Sequence, residues 1–185
     1  MTDLAHHQRA MLRLLRGGKL RHPEDDAYLR RVASSRHLAE ARRVVLLWRV
    51  HLLEQACALT VALLRSRRTL GATLQAFADS HNPSPFRDSQ ARAFLDWLSA
   101  SDDPLMRAVA GFERALAAVR DGDASQHEIA WPADPHPVLQ ALARGEPVAE
   151  PLPQAAWLVR VHHALPGGFV LQPADDPTRA SGVSG

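Results

Sequence analysis

Ten histidines and a single cysteine are the side chains of this sequence best suited to hold a metal or attack a substrate, and their spacing argues against both roles. His6-His7 and His162-His163 are adjacent pairs. Neighbours point to opposite faces of a strand and diverge by about 100° on a helix, so neither pair makes a chelate. The chain has no HExxH, no two histidines four apart on one helix, and no histidine cluster with carboxylates beside it. Cys57 falls inside an apolar helical stripe, where a thiol behaves as a small hydrophobe, and one cysteine forms no internal disulfide. GxSxG, GxxxxGK[ST] and GxGxxG are absent as well. The expectation is a chain with no catalytic residue, no metal ligand set and no cofactor of its own, and not an enzyme by itself.

Binding therefore becomes the question, and the elements that would present a binding surface can be read in order. Thr2 or Asp3 caps a first helix carrying Leu4, Met11, Leu12, Leu14 and Leu15, which Gly17-Gly18 ends. After Pro23, the acidic Glu24-Asp25-Asp26 suits a helix start, and Tyr28, Leu29 and Val32 continue it. Leu38, Ala41, Val45, Trp48, Leu52, Ala56, Leu59 and Leu63 then step by three or four, predicting one long central helix with Trp48 in its core. Leu70, Leu74 and Phe77 mark a helix that stops before His81-Asn82-Pro83-Ser84-Pro85. Asp88 or Ser89 caps the next, with Phe94, Leu95, Trp97 and Leu98 buried. Asp102-Asp103-Pro104 starts the last, whose Leu105, Val109, Phe112, Leu116 and Val119 run to Gly122.

At Asp121-Gly122-Asp123 the composition changes: nine of the thirteen prolines lie beyond Gln126. Residues 127–131 alternate by two, Pro137 to Arg144 fits two helical turns ending at Gly145, and Trp157–His163 pairs with Gly168–Gln172 around Pro166-Gly167-Gly168. The fold class is α+β: an N-terminal α-helical bundle over 1–122, a small β-hairpin and short-strand module over 123–173, and a disordered tail over 174–185. Trp157, Val159, Val161 and His163 share one face of their strand and Leu158, Arg160 and His162 the other. A hairpin has edges, where an extended peptide can add as a strand, so Leu158, Arg160, His162, Val159 and Val161 are the candidate peptide-binding residues. The alternative for Arg160 is solvation of the outer face, and for Trp131 and Trp157 it is packing on the helices.

Charge is unevenly spread. Residues 1–68 carry 14 Lys/Arg against 6 Asp/Glu, and residues 69–185 carry 8 against 14. A basic half suits an acidic protein or a nucleic acid, or is a solvated arginine-rich surface. Val44–Leu64 has the length of a membrane span, but Arg49 and Glu54 each cost roughly 2.5–3.5 kcal/mol at a bilayer centre, so no membrane partner is expected. The N-terminus shows no apolar signal region, which makes the cytoplasm the expected location.

Several segments, taken together, resemble a known family. They are Arg36-His37-Leu38 through Trp48-Arg49, Asn82-Pro83-Ser84-Pro85-Phe86, Phe94-Leu95-Asp96-Trp97-Leu98, Val109 through Leu116, and Trp131-Pro132-Ala133-Asp134-Pro135. The chain is similar over residues 36–172 to the companion subunits of TIM-barrel, multinuclear iron enzymes that modify ribosomally made peptides, as in methanobactin and 3-thiaglutamate biosynthesis. Trp48-Arg49 stands where Tyr-Arg is more common. The resemblance implies a heterodimer with such an enzyme, which supplies the iron and oxidises a peptide cysteine. It further implies that this chain holds the leader of the precursor peptide by strand addition. Arg49, Ser84, Pro85, Phe86 and Trp131 are the expected partner-interface residues. The runner-up reading is a nucleic-acid-associated regulator acting through the basic N-terminal helices, and the third is a purely structural interaction domain.

Overall fold

The computed structural model describes residues 4–20, 27–81 and 86–174. The expected caps Thr2 and Asp3, the triplet 24–26, the turn at 82–85 with Ser84 and Pro85, and the tail from 175 on lie outside the described residues. Helices α1 (Leu4–Leu15), α2 (Ala27–Ala33), α3 (Arg36–Ala56), α4 (Ala58–Ser66), α5 (Leu70–Ser80), α6 (Arg87–Ser99) and α7 (Pro104–Arg120) come first. They are followed by β1 (His127–Trp131), α8 (Pro135–Arg144), β2 (Trp157–Val161), a single 3-10 turn and β3 (Phe169–Pro173). The α+β arrangement expected from the periodicities is the one observed.

Local chemistry explains most of the boundaries. Ser35 caps α3 by accepting from the His37 N–H, and Asp103 caps α7 by accepting from Leu105 and Met106. Asp134 does the same for α8, which starts at Pro135 and ends where Gly145 takes a left-handed conformation. Helix α6 departs from expectation. Phe86 occupies its N-cap with no side-chain bond, and Asp88 sits inside the first turn, where its charge favours the helix end.

The long central helix is in fact two. Cys57, at φ −133° and ψ 53°, ends α3 and opens α4, and the two axes are bent by 119°. Hydrophobic steps of three and four continue through the break, because α4 turns its own apolar face into the same core. No single helix among the described residues is long and apolar enough to cross a membrane.

One hydrophobic core runs through the helices and the sheet, joining Leu53, Val61, Phe77, Phe94, Val109 and Phe112 to Trp131, Val138, Val159 and Val161. Phe112 of α7 meets Trp131 and Phe169 edge-on, at ring-centre distances of 6.2 and 5.1 Å. The sheet has the order β1-β2-β3, antiparallel throughout, with Glu128 opposite Arg160 and Arg160 opposite Val170.

Candidate docking surfaces

The topology corrects the expected peptide-binding strand. Residues 157–161 form the central strand of three, so both of its edges are already paired, and an incoming peptide cannot add beside Trp157 to Val161. Val159 and Val161 are fully buried against the helices, as their face predicted, and this removes them from any contact with a peptide. Leu158 and Arg160 lie on the outer face. Arg160 Nε donates to Glu128 Oε1 at 2.8 Å, a cross-strand ion pair. His162 follows the strand, where Nε2 lies 3.0 Å from the Ala124 carbonyl and Nδ1 accepts the Ala164 N–H, so its ring belongs to its own loop.

Among the described residues, the outer edges of β1 and β3 have no strand paired to them. Ala174 N–H to Ala156 O at 2.8 Å and His162 N–H to Gly168 O at 3.0 Å bracket the β2–β3 ladder. Alternation along an antiparallel pair then turns the N–H and C=O of Phe169 and Leu171 outward on β3, and those of Glu128 and Ala130 outward on β1. Phe169 and Leu171 keep half-exposed apolar side chains at that edge, and Val170 beside them is exposed on the outer face.

Two expected partner-interface residues are placed oppositely. Trp131 is 2% exposed and packs on Phe112, so it is core and not interface. Phe86 is 74% exposed. Trp48, expected in the core, is 61% exposed; with Val44 at 64% and Leu47 at 58% it forms an apolar strip on the outer side of α3. These positions are three and four apart, so the three side chains adjoin on one face. His51, one turn on, lies against the Trp48 ring at 5.8 Å.

Arg49, the remaining interface candidate, lines a cleft of about 200 Å³ between the end of α1, the middle of α3 and the end of α5. Arg42, Val45, Leu46 and Arg49 line it from one stripe of α3, facing Arg16 and His81. Arg42 donates to the Leu14 carbonyl at 2.7 Å, which satisfies the C-terminal end of α1. No acidic partner among the described residues meets Arg16, Arg43 or Arg49. Burial first, and the nearby Arg16 charge second, hold the Arg49 guanidinium below its ordinary value. The sequence reading missed Arg16, Arg43 and His81. The signal for the stripe was present in Arg42 and Arg49, two turns apart with Val45 and Leu46 between them.

A larger cleft of about 740 Å³ lies among α3, α6, α7 and the start of β1, floored by Ala91, Leu95, Ala115 and Ala118. Its charges neutralise one another: Arg92 meets Asp121 at 3.2 Å and Arg114 meets Asp96 at 3.1 Å. It offers little uncompensated charge to a ligand, whereas the α3 cleft offers several cations and, among the described residues, no anion.

Among the described residues no group of three or more His, Cys, Asp or Glu side chains could hold a metal ion. Cys57 is buried, and burial, with the Glu113 carboxylate beside it, pushes its thiol well above the ordinary range. No family model, curated protein or solved structure matches this chain.

Proposed function

We propose that this protein is a non-catalytic companion subunit that docks on another protein through α3 and holds an extended peptide on its sheet. The observation that carries the docking half is the exposed Val44, Leu47 and Trp48 strip on the outer side of α3, with the exposed Arg43 one turn before Leu47. Isolated exposed apolar residues are ordinary, but three adjoining ones rimmed by charge are what an interface core looks like. The peptide half rests on the free β3 edge, where an added strand would cover Phe169 and Leu171 and gain main-chain hydrogen bonds. The finer reading follows from the sequence resemblance: the partner is a TIM-barrel iron enzyme, the iron is the enzyme's, and the peptide is a ribosomal precursor whose cysteine is oxidised.

Coexpression with a TIM-barrel iron enzyme encoded beside it tests the proposal. Size-exclusion chromatography should show an equimolar complex with iron in stoichiometric amount, and Trp48→Asp should release the companion while it stays folded. Elution of the two proteins apart, with the enzyme iron-loaded, would sink the reading. The unpaired arginines also suit phosphates, so an electrophoretic shift whose affinity falls steeply with salt would favour the nucleic-acid regulator instead.

A further inference from the structure

We infer that the cleft between α1, α3 and α5 is a binding site for a carboxylate carried on a short apolar stem. Arg16 and Arg49 both line it, close enough to repel, with no acidic partner among the described residues, and Arg43 lines the same opening. Two like charges of which one is half-buried repel each other, and a bound anion removes that cost. Arg42 has another occupation, since its bond to the Leu14 carbonyl serves the end of α1, and the side chains of Arg16, Arg43 and Arg49 make no such bond to the described residues.

The size and walls of the cleft select the ligand. At about 200 Å³ it lies below the roughly 300–1,000 Å³ of sites for drug-sized molecules, which leaves room for one small group. Leu15, Val45, Leu46 and Ala78 supply apolar walls for a stem. The ends of α1 and α5 that border it are C-terminal ends, whose partial negative charge penalises a phosphate dianion more than a single carboxylate. Planar guanidinium forks match a carboxylate with two parallel hydrogen bonds. His81 is fixed at the rim by Ser80 Oγ at 2.8 Å from Nδ1 and by stacking on Phe77 at 5.0 Å.

The cleft is lined by this chain alone, so the free protein tests it. Butyrate, inorganic phosphate and the capped peptide acetyl-Ala-Glu-Leu-amide are titrated by calorimetry and thermal shift, with sodium chloride holding ionic strength constant. Saturable binding of butyrate, with a rise in Tm, is expected, and Arg49→Met should weaken it at least about tenfold, the loss of one charged hydrogen bond. The same substitution should raise the ligand-free Tm by removing the repulsion. Tighter binding of the peptide than of butyrate identifies a protein side chain as the source of the carboxylate, and binding of butyrate alone identifies a free acid. Should Arg49→Met fail to fold, the exposed Arg16→Gln and Arg43→Gln carry the test. The inference is overturned if wild type shows no saturable response to either carboxylate, if phosphate binds more tightly than both, or if the arginine variants bind as wild type does.

Discussion

Glu113 of α7 reaches across to Thr60 of α4: its Oε2 accepts the Thr60 backbone N–H at 2.8 Å while Oε1 accepts that of Leu59 at the same distance. Both donors are among the four N–H groups that the start of α4 leaves without a helical partner. A carboxylate from another helix thus caps α4 and fixes the 119° bend at Cys57. Glu113→Ala should strand two largely buried donors at about 1–3 kcal/mol each, whereas surface substitutions elsewhere on α7 should change little. Urea denaturation of Glu113→Ala beside Arg114→Ala checks this, and equal stability of the two would show that the cap is dispensable.

The same carboxyl makes stability depend on pH. Burial raises the Glu113 pKa against the opposing pull of its hydrogen bonds to Thr60 and Leu59. A raised folded-state value means that its contribution is fully present below the unfolded value, about 4.3, and is lost as pH rises through the folded one. The difference in Tm between wild type and Glu113→Gln, followed from pH 4 upward, should therefore shift in favour of the variant. A difference that stays flat would mean that the two N–H bonds cancel burial, and one that moves the other way would mean that they outweigh it.

How much of this was legible depended on whether the information was local. The caps at Asp103 and the stop at Gly145 follow from residues adjacent in sequence, and the alternation along 157–161 placed Val159 and Val161 on the core face. The bend at Cys57 was not legible, because the carboxylate that caps α4 there, Glu113, lies more than fifty residues away. Trp48 was misplaced for a related reason. A step of three or four says that residues share a face, but not which of a helix's faces finds a neighbour, and α3 buries fully only Leu38 and Leu53. Strand order was hidden too, since nothing in residues 127–131 says which edge of the hairpin they will take.

At 61% exposure, Trp48 makes little of the packing that a core tryptophan makes. Trp48→Ala should change stability by no more than about 0.5 kcal/mol, not the ~3–5 kcal/mol of a buried aromatic. Chemical denaturation distinguishes the two sharply, and a loss of several kcal/mol would return Trp48 to the core.

Gly111 sits in the middle of α7 facing β1, and a Cβ there would meet Ile129 Cγ2 at 3.5 Å, an ordinary contact. Gly111→Ala should stabilise by about 0.5–1 kcal/mol through helix propensity. Gly111→Leu should instead overpack the α7–β1 contact and cost about 1–3 kcal/mol. Thermal melts of the pair check both signs, and destabilisation by alanine would reveal that the helix and strand cannot part by even a few tenths of an ångström.

A proline should act differently on each of the three strands. Val159 is fully buried on β2, and its N–H lies in the ladder to β1, so Val159→Pro should remove a paired donor from the centre of the sheet and abolish folding. Ala130 on β1 and Leu171 on β3 point their N–H groups away from β2, so proline at either position is compatible with an edge strand. Ala130→Pro should fold nearly as well as wild type, since Ala130 is exposed, and Leu171→Pro should fold with a modest loss from its half-buried side chain. If a peptide adds along β3, Leu171→Pro should weaken binding of the labelled precursor in a fluorescence-polarisation titration while Ala130→Pro leaves it unchanged. The Glu128–Arg160 pair, exposed by 46% and 40%, should matter little in either assay, with Arg160→Ala costing about 0.2–1 kcal/mol of stability. Binding lost in Ala130→Pro and kept in Leu171→Pro would move the peptide to the β1 edge, and binding kept in both folded variants would rule out strand addition altogether.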